Sequence, residues 1–486
     1  MKQVILVADF GSSNVRAHAI DAANGQIIAQ HSLKYPILSP HAGYFEHDPE
    51  EMWKNSVECI RKVYAEIRED SEVRAVSFSH IGSSLVLMDG DNNAVYNCIL
   101  GMDSRAVEEG AWIRSEVNKR GVRPETCLTY TPVSPMGKLL NVRKVFPDIA
   151  KKARYVVSIQ QYILKKLGLP LVWDQTEAGS HSCYDVLKRV WSPDILDIAG
   201  ITEDALGKTV NSYETVGTID SYGDVRFDKP VPVVIGGHDA VMGTVGLGVY
   251  DENKDAIAEV TGSVDVYCFL MNRAFNATEE QQGQVRPGAM LISEPGPLDM
   301  TTMCMTGYTT AGALIEWYLR EIYHGGAENP FEDLWGHICL DGSVKTKVNP
   351  NFTNAGGAIR NIDLSTTQYE IYSACIEAIT FESRAMAEIC EKMKNGVCNR
   401  IRVGGGHASS DAWTQFRADI TGKTYERMEN NEVSALGTAV LAAYGVGLYG
   451  SIEEAVGQMV RIRDVFTPNE KVHSVYEDIY KAYLKA

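Results

Sequence analysis

The sequence predicts an α/β protein built from two similar halves. With 486 residues, the chain has material for two to four domains. Short apolar runs that end in glycine-containing turns predict strands, and apolar residues at every third or fourth position predict helices. The same unit of strand, glycine turn and strand starts at Val4 and returns at Ala256. We therefore place the main boundary after residue 248, which gives domains 1–248 and 249–486.

The predicted strands and helices alternate along both halves. In the first half, the turn-forming pair Asn24-Gly25 separates two strands, and Asp48 can cap a helix together with Glu51. The second half contains a helix rich in Ala and Gly after Glu432, a composition that allows close packing on a sheet. The predicted strands are 4–8, 15–20, 26–29, 73–78, 84–88, 231–235, 256–260, 264–271 and 400–403. Besides the two helices that follow Asp48 and Glu432, the predicted helices are 154–167, 310–322, 368–393 and 411–421.

The charge and cysteine patterns exclude several classes of protein. There are 46 basic and 63 acidic residues and no basic cluster, which argues against nucleic acid and anionic membranes as partners. The first apolar run is only about six residues long and ends at Asp9, too short for a signal peptide or a membrane span. Ten cysteines without a CxxC spacing argue against a disulfide framework or a zinc site. We expect a cytoplasmic protein with reduced thiols.

The first loop with chemical potential follows the first strand. In Asp9-Phe10-Gly11-Ser12-Ser13-Asn14-Val15-Arg16, backbone N–H groups, the hydroxyls of Ser12 and Ser13 and the guanidinium of Arg16 can bind phosphate oxygens. The carboxylate of Asp9 can hold a hydrated Mg²⁺. Taken alone, the segment also fits an ordinary β-hairpin turn with a surface arginine.

Three further glycine loops follow predicted strands. In Gly236-Gly237-His238-Asp239 the glycines let the backbone approach a ligand and leave Asp239 in a cleft, although an aspartate there also fits a helix N-cap. Thr261-Gly262-Ser263 can form a second phosphate clamp. Residues 403–410, which include Gly405, Gly406 and Ser409, can admit the ribose and base of a nucleotide. Each loop alone is also explained as a structural turn, so the weight comes from their occurrence together.

Two other glycine patterns resemble known nucleotide-binding motifs but do not match them. Gly422-Lys423-Thr424 resembles the end of a P-loop, but Arg417 stands where the motif requires glycine. The glycines between Gly243 and Gly248 have the wrong spacing for a dinucleotide fingerprint. We therefore exclude a P-loop NTPase and a Rossmann dehydrogenase.

Taken together and in order, the motifs resemble those of the FGGY family of carbohydrate kinases, within the actin-like ATPase superfamily. The resemblance runs from residue 4 to about residue 450. The Asp9 loop is similar to the family's first phosphate motif, and residues 43–50 with Trp53 resemble its G-x-x-E-x-D-P-x-x-x-W segment. Asp103-x-Arg105 resembles its sugar-site motif, although Gly101 replaces a tryptophan. Residues 130–147 resemble its T-x-x-K-L-x-W-x-x-x-x-P stretch, with Asn141 in place of the tryptophan, and residues 404–439 its C-terminal signature around adenosine.

The resemblance implies two ribonuclease H-like domains that face each other across a cleft, the first mainly for sugar and the second mainly for nucleotide. It also implies ATP and Mg²⁺ as cofactors, with Asp239 as the catalytic base and Asp9 at the metal. The implied phosphate and nucleotide contacts are Ser12, Ser13, Arg16, Thr261, Gly262, Ser263, Gly312, Gly405, Gly406 and Ser409. Sugar hydroxyls call for carboxylate and guanidinium partners, so Asp103 and Arg105 are the candidate sugar contacts, together with Asp239 and with His80 and Ser83 on the neighbouring strand-end loop; His80 alone also fits a structural histidine.

We therefore expect an ATP-dependent carbohydrate kinase acting on a hydroxyl of a five- or six-carbon ketose, xylulose-like or fuculose-like. Residues 79–84 carry neither the Gln-Met-His of xylulokinases nor the Arg-Glu of glycerol kinases, and the small pair Gly82-Ser83 leaves room for an acceptor longer than glycerol, although small residues can also accommodate packing. The alternatives within the family are a polyol kinase and a kinase of a linear signalling ketose. A filament subunit and an ATP-driven chaperone are alternatives that Asp239 and the C-terminal signature disfavour. A non-catalytic sugar sensor is a further alternative, although a sensor need not keep Asp9, Asp239 and both phosphate loops together. The partners are a small sugar and ATP, and a homodimer is left open.

Overall fold

Two mixed β-sheets, one in each half of the chain, carry the fold. The computed structural model describes residues 1–122, 125–127, 131–262, 264–277, 281, 285, 289–308, 310–352 and 356–485. The strands of the first half are β1 (Lys2–Phe10), β2 (Asn14–Asp21), β3 (Ile27–Lys34), β4 (Glu46–His47), β5 (Ser71–His80), β6 (Val86–Met88), β7 (Cys98–Ile99), β8 (Tyr155–Val157), β9 (Val172–Asp174), β10 (Tyr184–Asp185), β11 (Val190–Trp191), β12 (Lys208–Val210), β13 (Thr215–Tyr222) and β14 (Val225–His238). Its helices are α1 (Pro49–Ile67), α2 (Val107–Arg120), α3 (Pro135–Val145), α4 (Pro147–Ala150), α5 (Ile159–Lys166), α6 (Gln175–Ser180), α7 (Pro193–Ala199) and α8 (Asp239–Gly246).

The second half repeats this mixture. Its strands are β15 (Ile257–Thr261), β16 (Asp265–Met271), β17 (Ala289–Pro295), β18 (Thr302–Tyr308), β19 (Lys347–Asn349), β20 (Ala358–Arg360), β21 (Arg400–Gly405), β22 (Thr424–Met428) and β23 (Ile462–Phe466). Its helices are α9 (Gly312–Glu321), α10 (Pro330–His337), α11 (Gln368–Lys394), α12 (Asp411–Thr421), α13 (Val433–Gly445), α14 (Ile452–Met459) and α15 (Glu470–Tyr483). Short 3₁₀ turns lie at Glu203–Ala205 and Gly406–Ser409.

The two large sheets share one topology. The first has the order β13-β14-β5-β1-β2-β3, in which β1, β2 and β3 form an antiparallel meander and β5 and β14 continue it in parallel. The second has the order β17-β18-β16-β15-β21-β22-β23, in which β15, β16 and β18 form the meander and β21 and β22 continue it in parallel. The predicted recurrence of the strand, turn and strand unit is confirmed.

Strand register brings the polar loops together at the carboxyl ends of the parallel strands. In the first sheet, Phe10 of β1 and His238 of β14 both pair with His80 of β5. In the second sheet, Thr261 of β15 pairs with Gly405 of β21. Loops that follow parallel strands meet at one edge of a sheet, which is where open α/β sheets bind ligands.

One predicted helix has a different start. The prediction of a helix over residues 154–167 is wrong in its first turn, because Tyr155–Val157 form β8, which pairs with β6. The helix α5 begins only at Ile159, where Ser158 caps it and Gln161 completes a capping box. The run of two valines prefers an extended backbone, and the pairing with β6 satisfies it.

The small-residue helix α13 packs closely, but its closest partner is a helix of the first half. A Cβ on Gly437 would lie 1.8 Å from the carbonyl oxygen of Met242 in α8, and one on Gly246 would lie 1.9 Å from that of Val433. Only glycine allows the two backbones to approach this far. Because α13 also packs on the first sheet, the boundary after residue 248 stays a prediction.

In the part of the chain that the structure describes, the helices are all too short or too polar to cross a membrane.

Candidate active site

The end of β1 carries a buried carboxylate that is joined to the second half through an arginine. Arg16 of β2 lies opposite Asp9 and donates from Nη2 to Oδ2 of Asp9 at 2.6 Å. Its Nη1 donates to Oε2 of Glu432 at 2.5 Å. Glu432 occupies the N-cap position of α13. Arg16 therefore connects the first phosphate loop with the helix that follows Glu432.

The same corner is a candidate cation site. Asp9, His18 and Glu432 each offer a ligand atom, and these atoms lie within 4.8 Å of one another. His18 is buried, and among the described residues neither of its ring nitrogens has a hydrogen-bond partner. Mg²⁺ prefers oxygen ligands and keeps several waters, so the two carboxylates suit it, although Arg16 already bonds both. These residues fit a hydrated magnesium ion in competition with Arg16.

Hydrogen bonds fix the turn after Asp9, while two serines of the turn stay exposed. Tyr35 donates from its hydroxyl to the carbonyl oxygens of Gly11 and Asn14 at 2.5 and 2.8 Å. The Gly11 N–H donates to the Asn14 carbonyl at 2.9 Å, which closes the turn. Ser12 and Ser13 remain exposed. A rigid turn with exposed hydroxyls and amides suits a phosphate group.

Asp239 and His238 end β14 and open α8. The side chain of Asp239 is 36% exposed, while His238 beside it is 12% exposed. Nε2 of His238 lies 3.3 Å from Oδ1 of Asp239, and Nδ1 lies 3.1 Å from Oε2 of Glu294 in β17 of the second half. Burial raises the pKa of Asp239 and Asp9 adds to that, whereas His238 opposes it. His238 occupies the N-cap position of α8, so the N-cap interpretation of Asp239 is wrong.

His80 lies beneath this pair, within the protein. It has no exposed surface, and its Nε2 and Nδ1 lie 3.6 Å from Oδ2 of Asp174 and 3.8 Å from Oε2 of Glu177. Burial raises the pKa of Glu177 to about 7, opposed by His80 and His238. The ring of His80 thus faces two carboxylates of the protein.

The small residues Gly82 and Ser83 both contact other groups of the protein. A Cβ on Gly82 would lie 2.3 Å from Nε2 of His238, so the imidazole fills the space that glycine leaves. Ser83 has a φ of 59° and donates from its hydroxyl to the carbonyl of Ser180 at 3.2 Å. Gly101 approaches the same loop, because its Cβ would lie 2.6 Å from the Gly82 carbonyl.

Asp103 and Arg105 form a buried ion cluster. Arg105 donates from Nε and Nη2 to Asp103 at 2.9 and 2.7 Å and from Nη2 to Glu46 at 2.6 Å. Its guanidinium stacks on Tyr44 at 3.9 Å from the ring centroid. Asp103 also accepts from the backbone N–H of Phe45 at 2.7 Å. Both charged groups are thus largely satisfied within the protein.

The glycine loops of the second half meet at one place. The hydroxyl of Thr261 donates to the Gly404 carbonyl at 3.1 Å and accepts from the His407 N–H at 3.1 Å. A Cβ on Gly312 would lie 2.5 Å from the Gly262 carbonyl and 2.7 Å from Nε2 of His407. The ring of His407 stacks on Trp413 with centroids 4.7 Å apart. Gly406 and Ser409 are exposed beside this cluster.

Two family models cover most of the chain. The model of the FGGY family of carbohydrate kinases, N-terminal domain, matches residues 4–246, and that of the C-terminal domain matches residues 299–446. The chain belongs to the FGGY family of carbohydrate kinases. It is therefore a phosphotransferase of the class whose acceptor is an alcohol group.

Individual relatives match this FGGY kinase along its whole length. Xylulose kinase from Bacillus subtilis (strain 168) is 25% identical over 502 residues, which cover 99% of this chain and 96% of the relative. Gluconokinase from Bacillus licheniformis is 24% identical over 507 residues, 100% of this chain and 95% of the relative. The crystal structure of ligand-bound xylulose kinase from Lactobacillus acidophilus superposes with a TM-score of 0.86 at 21% identity, covering 99% and 97% of the two chains. The predicted two-domain, actin-like fold is confirmed.

The predicted site residues of this FGGY kinase fall into two groups. Those at the strand ends are brought together in space: Asp9 with Arg16, and Thr261, Gly262, Gly312, Gly405 and Gly406 with one another. Asp103, Arg105 and His80 lie inside the protein, and their contact with sugar stays a prediction. Ser263 lies outside the described residues.

Sequence reasoning missed the acidic partners of the site. Glu294 and Glu432 come from the second half and meet histidine and arginine side chains of the first half. Asp174 and Glu177 lie at the start of α6 and meet His80. None of these four belongs to a glycine motif, although the position of Glu432 just before a small-residue helix was a usable signal for a site at a helix start.

Proposed function

We propose that this FGGY kinase transfers the γ-phosphoryl group of ATP to a hydroxyl of a neutral sugar, with a five- or six-carbon ketose as the preferred acceptor. The observation that carries the proposal is the position of Asp239. Its partly exposed carboxylate lies at the carboxyl ends of the parallel strands β5 and β14, and it lies near enough to Asp9 for their charges to interact. A carboxylate at such an edge can reach an acceptor hydroxyl and the phosphate site at once.

In the proposed reaction, the acceptor hydroxyl gives its proton to Asp239 while its oxygen forms a bond to the γ-phosphorus. The bond from the γ-phosphorus to the bridging oxygen breaks, and ADP leaves. Ser12, Ser13 and Arg16 are proposed to hold the phosphates from the first half, and Thr261 and Gly262 from the second. Mg²⁺ would neutralise charge on the β- and γ-phosphates when bound with ATP, and Asp9 is the residue proposed to hold it.

The charge around Asp239 supports a neutral acceptor. Asp174, Glu177, Glu294 and Asp239 itself lie around His80 and His238, and the charge of Lys138 also interacts with Glu177. Like charges at short range disfavour binding, so an anionic acceptor such as gluconate is repelled. Because relatives named for xylulose and for gluconate are nearly equally similar, this charge distribution is the stronger argument.

A small polyol is the second candidate. The expectation of a long acceptor depended on free space at Gly82, and the imidazole of His238 fills that space. Without that space, the argument against a short neutral acceptor such as glycerol no longer holds.

The test is a panel of acceptors with the wild type and Asp239→Asn. With ATP and Mg²⁺, we expect ADP release with D-xylulose or L-fuculose, less with glycerol and least with D-gluconate. A side-chain amide accepts no proton, so the variant should bind ATP normally and turn over about 10² to 10⁴ times more slowly. Wild-type turnover in the variant would remove Asp239 from the reaction. Selective use of gluconate would overturn the charge argument, and selective use of glycerol would favour the polyol.

A further inference from the structure

His238 lies between two carboxylates that come from different halves of the chain. Its Nε2 is 3.3 Å from Asp239 and its Nδ1 is 3.1 Å from Glu294. A neutral imidazole has one N–H and one bare nitrogen, so it can donate to only one carboxylate and faces the other with a lone pair. The doubly protonated ring hydrogen-bonds Glu294 through Nδ1 and presents a second N–H, not a lone pair, to Asp239, so the geometry favours an imidazolium.

The imidazolium of His238 is the cation that accompanies the buried carboxylate of Glu294. Its side chain is 1% exposed, and its other oxygen lies 4.0 Å from the thiol sulfur of Cys127. A buried carboxylate is costly unless a cation accompanies it. Burial alone lowers the pKa of His238, but Glu294, Asp239 and Glu177 outweigh it and raise that pKa to about 10. His80 is the other titratable group beside the ring and acts against this charge.

The ring is also held in place from the first half. The backbone N–H of His238 donates to the hydroxyl of Thr176 at 2.9 Å, at the start of α6. Gly82 lies against the ring, with no space for a side chain between them. The remaining freedom is rotation of the imidazole, and the bond to Glu294 fixes it.

We infer that Glu294 is a positioning residue for the acceptor site: it reaches across from the second half and holds His238 as an imidazolium against Asp239. The inference rests on the proposed role of Asp239 as the base. The held imidazolium lies 3.3 Å from one oxygen of Asp239 and favours the ionised carboxylate, which leaves the other oxygen for the acceptor hydroxyl. Because Glu294 belongs to the second half, this chain of contacts is complete only where the halves meet.

A titration of His238 tests the charge without any acceptor. The full chain is labelled with ¹³C in its histidines, and the Cε1 resonance of His238 is assigned by its loss in His238→Gln. In the wild type, we expect the imidazolium signal to persist to about pH 9, and in Glu294→Gln the midpoint should fall by at least about one pH unit. Glu125→Ala is the matched control, because Glu125 bonds Asn276 of the second half at 2.8 Å and has no described contact with His238. A wild-type midpoint near 6.5, or an unchanged midpoint in Glu294→Gln, overturns the inference.

Kinetics with ATP and D-xylulose test the positioning. In Glu294→Gln, kcat should fall about 10- to 100-fold while KM for ATP stays within about twofold, and Glu294→Asp should restore part of the loss. The double variant with His238→Gln should be no slower than His238→Gln alone, because Glu294 acts through that ring. An inactive Asp239→Asn beside a fully active Glu294→Gln overturns this inference alone. A fully active Asp239→Asn instead overturns the proposed base.

Discussion

Among single residues, Arg105 allows a prediction about the free energy of unfolding. Its guanidinium is fully buried and pairs with two buried carboxylates, Asp103 and Glu46. Arg105→Met keeps much of the side-chain volume but removes the guanidinium that bonds both carboxylates. Removal of one partner from a buried ion cluster costs about 3 to 5 kcal/mol, so the free energy of unfolding in urea should fall by that amount.

Arg61 is the control for this substitution. It bonds Asp224 and Glu58 on the surface, where its own side chain is 43% exposed. Exposed ion pairs contribute about 0 to 1 kcal/mol, so Arg61→Met should unfold almost as the wild type does. If Arg105→Met were as stable as Arg61→Met but had a higher KM for the acceptor, the main role of Arg105 would be to bind sugar, as the family resemblance implies, and not to stabilise the fold.

Among the secondary-structure elements, the contact between α8 and α13 leads to a prediction about thermal stability. Gly437→Ala places a methyl group 1.8 Å from the backbone oxygen of Met242. No side-chain rotation relieves this clash, because the contacted atom belongs to the backbone. Overpacking of this kind costs about 1 to 3 kcal/mol, and the two helices would have to separate. Thermal unfolding should show a lower Tm. A wild-type Tm would mean that the helices are not in contact as described.

A second glycine in a helix provides the matched control. At Gly457 of α14, the place that a Cβ would take has open space around it. Gly457→Ala therefore meets no clash and gains helix propensity, which should stabilise the protein by about 0.5 to 1 kcal/mol. Opposite signs for the two glycines would separate close packing from a general effect of alanine.

Local patterns predict the elements well where neighbours in sequence decide the structure. The helix predicted at 411–421 is observed as Asp411–Thr421, because Ser410 caps it and Gly422 ends it in a left-handed conformation. The prediction for residues 154–157 is wrong because their partner strand is β6, which lies far earlier in the chain. Sequence reasoning missed Glu294 and Glu432 because their partners lie in the other half, and only Glu432 has a local signal, its position before a small-residue helix.

At the scale of the whole molecule, the two halves contribute different parts of the proposed site. In that proposal, the first half supplies Asp239 and the Asp9 turn, and the second supplies the loops around Thr261 and Gly405. Within the described parts of the chain, two ionic contacts cross between the halves, from Arg16 to Glu432 and from His238 to Glu294. Both contacts lie next to the groups proposed for chemistry, so the proposed site is complete only where the two halves meet.

This arrangement predicts that ligands draw the halves together. Water competes with the sugar as an acceptor, so a cleft that closes around both substrates protects the phosphoryl group from hydrolysis. In small-angle X-ray scattering, the radius of gyration should fall when D-xylulose and a non-hydrolysable ATP analogue are both present, and fall less with either alone. Glu294→Gln should show a smaller decrease, because one contact between the halves is weakened, and Arg61→Met should behave as the wild type does. Superimposable curves with and without both ligands would contradict a closing cleft, since the phosphate loops and Asp239 would then have to meet the substrates without any movement of the halves.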